Sequence, residues 1–312
     1  FRSGGRNFAC YRELMRFRIF ILLALLTTVV GSSLLLEKRK QRGVGMHVLD
    51  IGQGDSILLR SGNADILVDG GPDATLLQRF SDVRPVSDRV LDVLIMTHPQ
   101  RDHFAGFLPL LERERVGLVI LPEIPSETDL FRAFVAELNH RHIPVRFARP
   151  GQRMTVGDLA LTVLAPDQHL LELAHTNANH GSIVLRVDVR GNQPFSALLT
   201  GDIERITEQY LAARIPRLVD VDVLKVAHHG SKTSTSERFL HATTPRLALI
   251  SAGKGNSYGH PAPAILSRLK GTLLLRTDLH GTISLRAMRG RLLLSCERGC
   301  ALADLAERGY DR

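Results

Sequence analysis

Two histidines and an aspartate fall within six residues of one another in "LIMTHPQRDHFAGF", where His98, Asp102 and His103 follow an apolar run of strand length. Three later segments share that plan: "LLTGD" ends in Asp202, "VAHHGS" carries His228, His229 and Ser231, and "NSYGHP" carries His260. Imidazole nitrogen and carboxylate oxygen are the donors that borderline divalent cations prefer, bound at ~2.0–2.2 Å from several segments at once. Taken singly, a histidine near a strand end is more often a hydrogen-bonded core or surface residue, and "TGD" is a common turn. Four such groups in this order point instead to a divalent cation and to hydrolysis by water that the cation activates. In that chemistry an imidazole titrating near neutral pH hands a proton to the departing oxygen.

Side chains from distant segments meet only if the intervening chain folds into rigid elements with their ends on one edge. "VGMHVLDIG", "SILLR" and "ADILVDGG" are short apolar runs parted by Gly, Asn and Asp, the pattern of strands joined by tight turns. "DLFRAFVAELNHRH" and "IERITEQYLAARI" carry apolar residues at helical spacing. Strands and helices mix throughout without an internal repeat, which predicts one layered α/β domain over residues 44–295 and a C-terminal tail over 296–312. Cys296 and Cys300, in "CERGC", form either a small disulfide or two free thiols.

The net charge of +8 over 312 residues invites a nucleic-acid reading, but its distribution weakens that. Residues 1–42 carry nine Lys/Arg against Glu13 and Glu37, whereas residues 43–312 carry 31 basic against 30 acidic side chains. Broad electrostatic adhesion to DNA across the domain is therefore disfavoured. Trp is absent and aromatics make up 5%, which argues against an extended base-stacking surface. The basic N-terminal segment (residues 1–43) instead brackets an uncharged run of 18 residues, Ile19–Leu36, just long enough to cross a bilayer core as one helix. Five basic residues precede that run and four follow it, a slight bias towards an inside N-terminus and an extracytoplasmic domain on a single-pass cell-membrane anchor.

The motifs "HVLDIGQGDSILL", "ILVDGG", "THPQRDHFAG", "LLTGD", "LKVAHHGSKTSTS", "SAGKGNSYGHP" and "LLRTDLHGTISL" run in order from about residue 46 to 287. In these the chain resembles the metallo-β-lactamase superfamily, and more narrowly the hydrolase domain of ComEC-type competence proteins. The resemblance implies an αββα sandwich with the metal site at one edge of two packed sheets, here preceded by a single transmembrane helix. It implies that His98 binds a first metal, Asp102 and His103 a second, that Asp202 bridges them and that His260 is the last ligand. His228 or His229 then protonates the leaving oxygen; in the alternative assignment His228 is a ligand. Asp69, in "VDGG", is the expected acceptor for a ligand imidazole. Asp55, in "GQGD", belongs either to a turn whose amides face a phosphate or to a plain hairpin turn. Lys225 and Lys232 either hold a phosphate or are solvated charges.

Two positions depart from the family pattern. Gln100 stands where the superfamily has His, and its neutral amide is a weak donor to zinc or manganese. His180, in "NANHGSIVL", lies near the place of a further ligand, although the ComEC pattern there resembles Asn-x-x-Ser, matched by Asn179 and Ser182. The expected cofactor is a divalent metal, Zn or Mn, with one ion firmly held and a second weak or absent. The leading function is a phosphodiesterase or nuclease acting on DNA, single-stranded as in competence uptake, with the membrane and a separate DNA channel protein as partners. Two alternatives stand beside it: a hydrolase of a small ester, lactone or cyclic phosphate, and a degenerate module that binds DNA or a partner without cutting.

Overall fold

Apolar side chains at every second position of a strand leave it on one face, so two such sheets laid together bury both inner faces. In the computed structural model, which describes residues 18–28, 31, 43–84, 89–191, 194–288, 291–300 and 303–304, this is how residues 43–312 are built. The first half of this unit forms β1 (Val44–Val48), β2 (Ile57–Ser61), β3 (Ala64–Val68), β4 (Val90–Ile95), β5 (Arg115–Leu121) and β6 (Val145–Phe147). Then come β7 (Arg153–Val156), β8 (Leu159–Ala165), β9 (Val184–Val189), β10 (Phe195–Leu199), β11 (Val223–Lys225), β12 (Leu247–Ile250) and β13 (Leu273–Arg276). The chain closes with β14 (Ile283–Met288), β15 (Arg291–Cys296) and β16 (Ala303–Asp304).

One sheet has the order β16-β15-β14-β1-β2-β3-β4-β5-β6 and the other β13-β12-β11-β10-β9-β8-β7. The alternation is visible strand by strand. Ile66 and Val68 of β3 and Val93 and Ile95 of β4 point into the core between the sheets, where Leu247 and Leu249 of β12 meet them. Leu67 and Leu94, from the opposite faces of β3 and β4, pack outward on Phe104, Phe107 and Phe134 of the covering helices. On the far side Leu198 and Leu224 pack against Leu211 and Phe239, again from helices. Helix, sheet, sheet, helix is thus the observed layering, and it is what the sequence reading expected of this α/β fold.

Cys296 and Cys300 are joined as a disulfide, and β16, within the segment expected to be a tail, pairs with β15. In the N-terminal unit residues 18–28 are helical. Positions 29, 30 and 32–36 of the expected membrane span lie outside the described residues, and no described helix is long and apolar enough to cross a membrane.

Candidate metal centre

Strands β3 and β4 are parallel, as are β10, β11 and β12, so their C-terminal ends can gather on one edge of the sandwich. Several of the chemical groups singled out above leave the sheets at such an end. Asp69 follows β3, Thr97 and His98 follow β4, Asp202 follows β10, His228 and His229 follow β11, and Ser251 follows β12. Asp102 and His103 ride on the short helix Arg101–Phe104 just beyond β4. That helix is clamped by the loop after β1: the Asp55 amide donates to the Asp102 carbonyl at 3.2 Å. Gly54, at φ +130°, makes the approach possible, because a Cβ there would collide with that same carbonyl.

Asp102, His103, Asp202 and His229 each turn one donor atom into a common space, all four within 4.8 Å of one another. His103 Nε2 lies 3.3 Å from Asp202 Oδ1, and His229 Nε2 lies 3.3 Å from Asp202 Oδ2 and 3.4 Å from Asp102 Oδ2. His103 Nε2, His229 Nε2 and Asp202 Oδ1 are buried and make no hydrogen bond within the chain. Buried polar atoms left unpaired at this density are costly unless something satisfies them. Two imidazole nitrogens and two carboxylates are the donor set of a divalent cation, so the residues fit the metal that the motif order implies.

Electrostatics says the same. Burial disfavours the charged imidazole at His103, yet Asp202, Asp69 and Asp102 outweigh it and raise its pKa well above the ordinary value. At His229 burial is likewise overridden, by Asp202 and Asp55 first. Burial opposes the charge on Asp202 too, but His229 and His103 hold it well below the usual carboxylate range. In the cation-free chain protons on the two imidazoles therefore balance the carboxylates, and a metal must displace them. Metal affinity is expected to climb with pH, and to go on climbing above about 6.5, the ordinary imidazole value, with proton release on binding. Competitive zinc titrations at a series of pH values test this; an affinity flat from about pH 6 to 8 would contradict proton displacement.

Ligand imidazoles need their other nitrogen held. His103 Nδ1 donates to Asp69 Oδ2 at 2.8 Å, and Asp69 is itself fixed by the Thr97 amide and hydroxyl, both at 2.7 Å. His229 Nδ1 donates to the Ser251 carbonyl at 3.0 Å, with Asp55 Oδ1 at 3.4 Å behind it. Asp69 sits at φ +60° and His229 at φ +54°, left-handed conformations that non-glycine residues seldom adopt and that aim these side chains.

Several expectations need revising against this geometry. His229, and neither His260 nor His228, completes the four-donor group. The His260 ring stands 6.3 Å from that of His229, centroid to centroid, one step towards solvent. His228 Nε2 is 3.7 Å from Asp202 Oδ2, its Nδ1 3.5 Å from Glu204 Oε1, and its side chain is 21% exposed. Lys225 holds no phosphate: it is fully buried, with its ammonium 2.7 Å from Asp55 Oδ2. The Asp55 amide is spent on Asp102 rather than on a phosphate. Ser231 is buried and its hydroxyl pairs with Thr233, which keeps the loop after His229 in shape. His180 turns to the Thr207 hydroxyl, 3.3 Å away, and stays out of the four-donor group.

His98 also lies outside that group but packs against His103, ring centroids 4.2 Å apart, with its Nε2 buried and unpaired. Burial, then repulsion from His103, brings its pKa down to about 4, so a neutral lone pair is available there. The other ring nitrogen, His98 Nδ1, lies 3.1 Å from the Thr97 hydroxyl. Sequence reasoning missed Thr97 and Glu204. Thr97 was legible as the hydroxyl beside His98, and Glu204 as the second acid in "TGDIE", which receives the Asn177 and Asn179 amides as well as facing His228.

Residues 49–254 match the family model described as the Metallo-beta-lactamase superfamily. The chain belongs to that superfamily. Among curated proteins it is 31% identical over 267 residues to ComE operon protein 3 of Bacillus subtilis, covering 77% of this chain and 33% of that protein. It is 30% identical over 262 residues to Competence protein ComA of Neisseria gonorrhoeae, covering 81% of this chain and 34% of that one. The chain thus spans about a third of the length of these relatives. Among solved structures, CmlA, a diiron beta-hydroxylase from Streptomyces venezuelae, superposes with a TM-score of 0.51 at 17% identity, covering 79% of this chain and 54% of that one. At that identity the likeness shows a shared superfamily fold alone.

Proposed function

We propose that this domain is a metal-dependent phosphodiesterase, a nuclease that cuts single-stranded DNA at the membrane beside a DNA channel. The observation that carries the reading is the buried four-donor group with a half-open edge. Asp102 is 30% exposed, whereas His103, Asp202 and His229 are at most 1% exposed, so substrate reaches the group past Asp102. The competence relatives supply the link to DNA, and the apolar run Ile19–Leu36 supports an anchor that leaves the domain outside the cytoplasm.

A zinc or manganese ion bound by these residues would polarise a phosphoryl oxygen and make water more acidic. Asp102, on the open side, orients the attacking water and accepts its proton. His228 stands at the rim of the same group, with its Nε2 3.7 Å from Asp202 Oδ2 and its Nδ1 3.5 Å from Glu204 Oε1. It gives its proton to the sugar oxygen that leaves as the phosphorus–oxygen bond breaks. His103 and His229 stay fixed through Asp69 and Ser251, and Asp202 holds both of them in register.

The test is cleavage of a single-stranded oligonucleotide by the full chain with Mn²⁺ or Zn²⁺, beside Asp102→Ala and His228→Ala. Metal-dependent cutting is expected, reduced about 100- to 10,000-fold in each variant, the usual weight of a proton-transfer group. Metal-loaded chain that binds DNA without cutting it would make the domain a binding module, the reading that Gln100 favours. Turnover of small esters alone would move the substrate away from nucleic acid.

A further inference from the structure

Tyr258 is 70% exposed, more than any other large apolar or aromatic side chain described in residues 43–304. Its ring lies 5.8 Å from that of His260, inclined by only 24°, in a stacked arrangement. The His260 ring is in turn 5.6 Å from His228 and 6.3 Å from His229. A series of rings therefore leads from the four-donor group out to solvent and ends on an uncovered aromatic face.

Hydrogen bonding, and not burial, fixes the backbone of the turn that carries Tyr258. Asn256 Oδ1 accepts from the Tyr258 amide at 3.1 Å and from the His260 amide at 3.0 Å, while its Nδ2 donates to the Gly253 carbonyl at 2.9 Å. The turn is thus rigid although its aromatic ring contributes nothing to the core. A preorganised ring with one face on His260 and the other bare is what a second planar ring needs for offset stacking.

Charge explains why such a contact matters here. Residues 43–312 carry 31 basic against 30 acidic side chains, so the acids offset most of the net cationic attraction for a phosphate backbone. Arg101, Lys232 and Lys254 are exposed and lie beside Asp102, the His229 loop and the Tyr258 turn respectively. With so little net positive charge, stacking is a further source of grip, and it acts without regard to sequence because every base has a π-face. We infer that Tyr258, backed by His260, is a platform for one nucleobase of a single strand whose phosphate lies at the four-donor group. The platform rests on the nucleic-acid part of the function proposed above.

Binding separates the two ideas. Fluorescence anisotropy of the full chain, with chelator present to prevent cutting, compares labelled oligodeoxythymidine with an abasic strand of equal length. Tyr258→Ala is expected to weaken the thymidine strand roughly tenfold, the scale of one base–aromatic stack, and to leave the abasic strand unchanged. Tyr258→Trp is expected to restore the preference for bases. Equal binding of both strands by the unmodified chain, or equal loss of both in Tyr258→Ala, overturns the platform. Metal-dependent cutting with KM unchanged in Tyr258→Ala overturns it too, and leaves the nuclease standing. Base-dependent binding through Tyr258 in a metal-loaded chain that cuts no DNA upholds the platform and removes the nuclease.

Discussion

Asp202→Ala is expected to empty the site of metal and to abolish hydrolysis while leaving the domain folded. One carboxylate here faces three imidazoles, at 3.3 Å from His103, 3.3 Å from His229 and 3.7 Å from His228. Loss of a residue that merely supports a ligand costs about 10- to 100-fold in metal affinity or activity, so loss of the carboxylate at the centre should exceed about a hundredfold. The fold should survive because Asp202 makes no apolar contact that holds the sheets, whose facing strands meet through Leu, Val and Ile. Metal content by elemental analysis, hydrolysis rate and circular dichroism of the variant together check the claim. Retention of one tightly bound ion with near-normal turnover would mean that the cation sits elsewhere.

How much of this site was legible in the sequence depends on what held each residue in place. Strand ends were readable because alternation of apolar residues marks both the strand and the point where it stops, so Asp69, His98 and Asp202 could be placed at an edge. The apolar runs alone indicated one layered α/β domain, and its order of helix, sheet, sheet and helix came from the family resemblance. What could not be read was the aim of individual rings. His228 and His229 are neighbours of one chemical type, and the choice between them is made by left-handed backbone at both, φ +51° and +54°. No local pattern demands that conformation. It is sustained by tertiary bonds, from the His228 amide to the Gly201 carbonyl at 3.1 Å and from His229 Nδ1 to the Ser251 carbonyl. His180 shows the converse. Its spacing placed it near the ligands, but a ring settles on whichever acceptor it meets, and here Thr207 is closer to hand.

Gln100 raised a question that the geometry sharpens. The complete donor group needs nothing from that position, since Asp102, His103, Asp202 and His229 already converge. The neighbouring position is left with neutral His98 as its strong donor, and one amide cannot balance a second divalent charge. Four donors converge on one place for a cation, and His98 stands beside it, its ring against that of His103.

The least anticipated feature is the ion pair beneath the site, and it carries the second large effect. Lys225 and Asp55 are 0% and 2% exposed and lie 2.7 Å apart, with the ammonium also donating to the Val226 carbonyl at 3.0 Å. Burial pushes the Asp55 pKa up, but Lys225, then His229, reverse this and leave it lowered. Lys225→Met keeps the apolar stem and removes the charge, so Asp55 is left as a buried carboxylate without its main partner. Breaking a buried pair in this way costs about 3–5 kcal/mol, and urea unfolding in chelator measures it. The pH dependence should change as well. In the unmodified chain the depressed Asp55 pKa contributes stability above the ordinary carboxylate value and loses it as pH falls. In Lys225→Met the largest of the lowering influences is gone, so the Asp55 pKa rises from its place in the unmodified chain, and the deficit is greatest at neutral pH and shrinks on acidification as Asp55 takes up a proton. A loss under about 1 kcal/mol, with the same pH profile as the unmodified chain, would show that the pair is incidental to the fold.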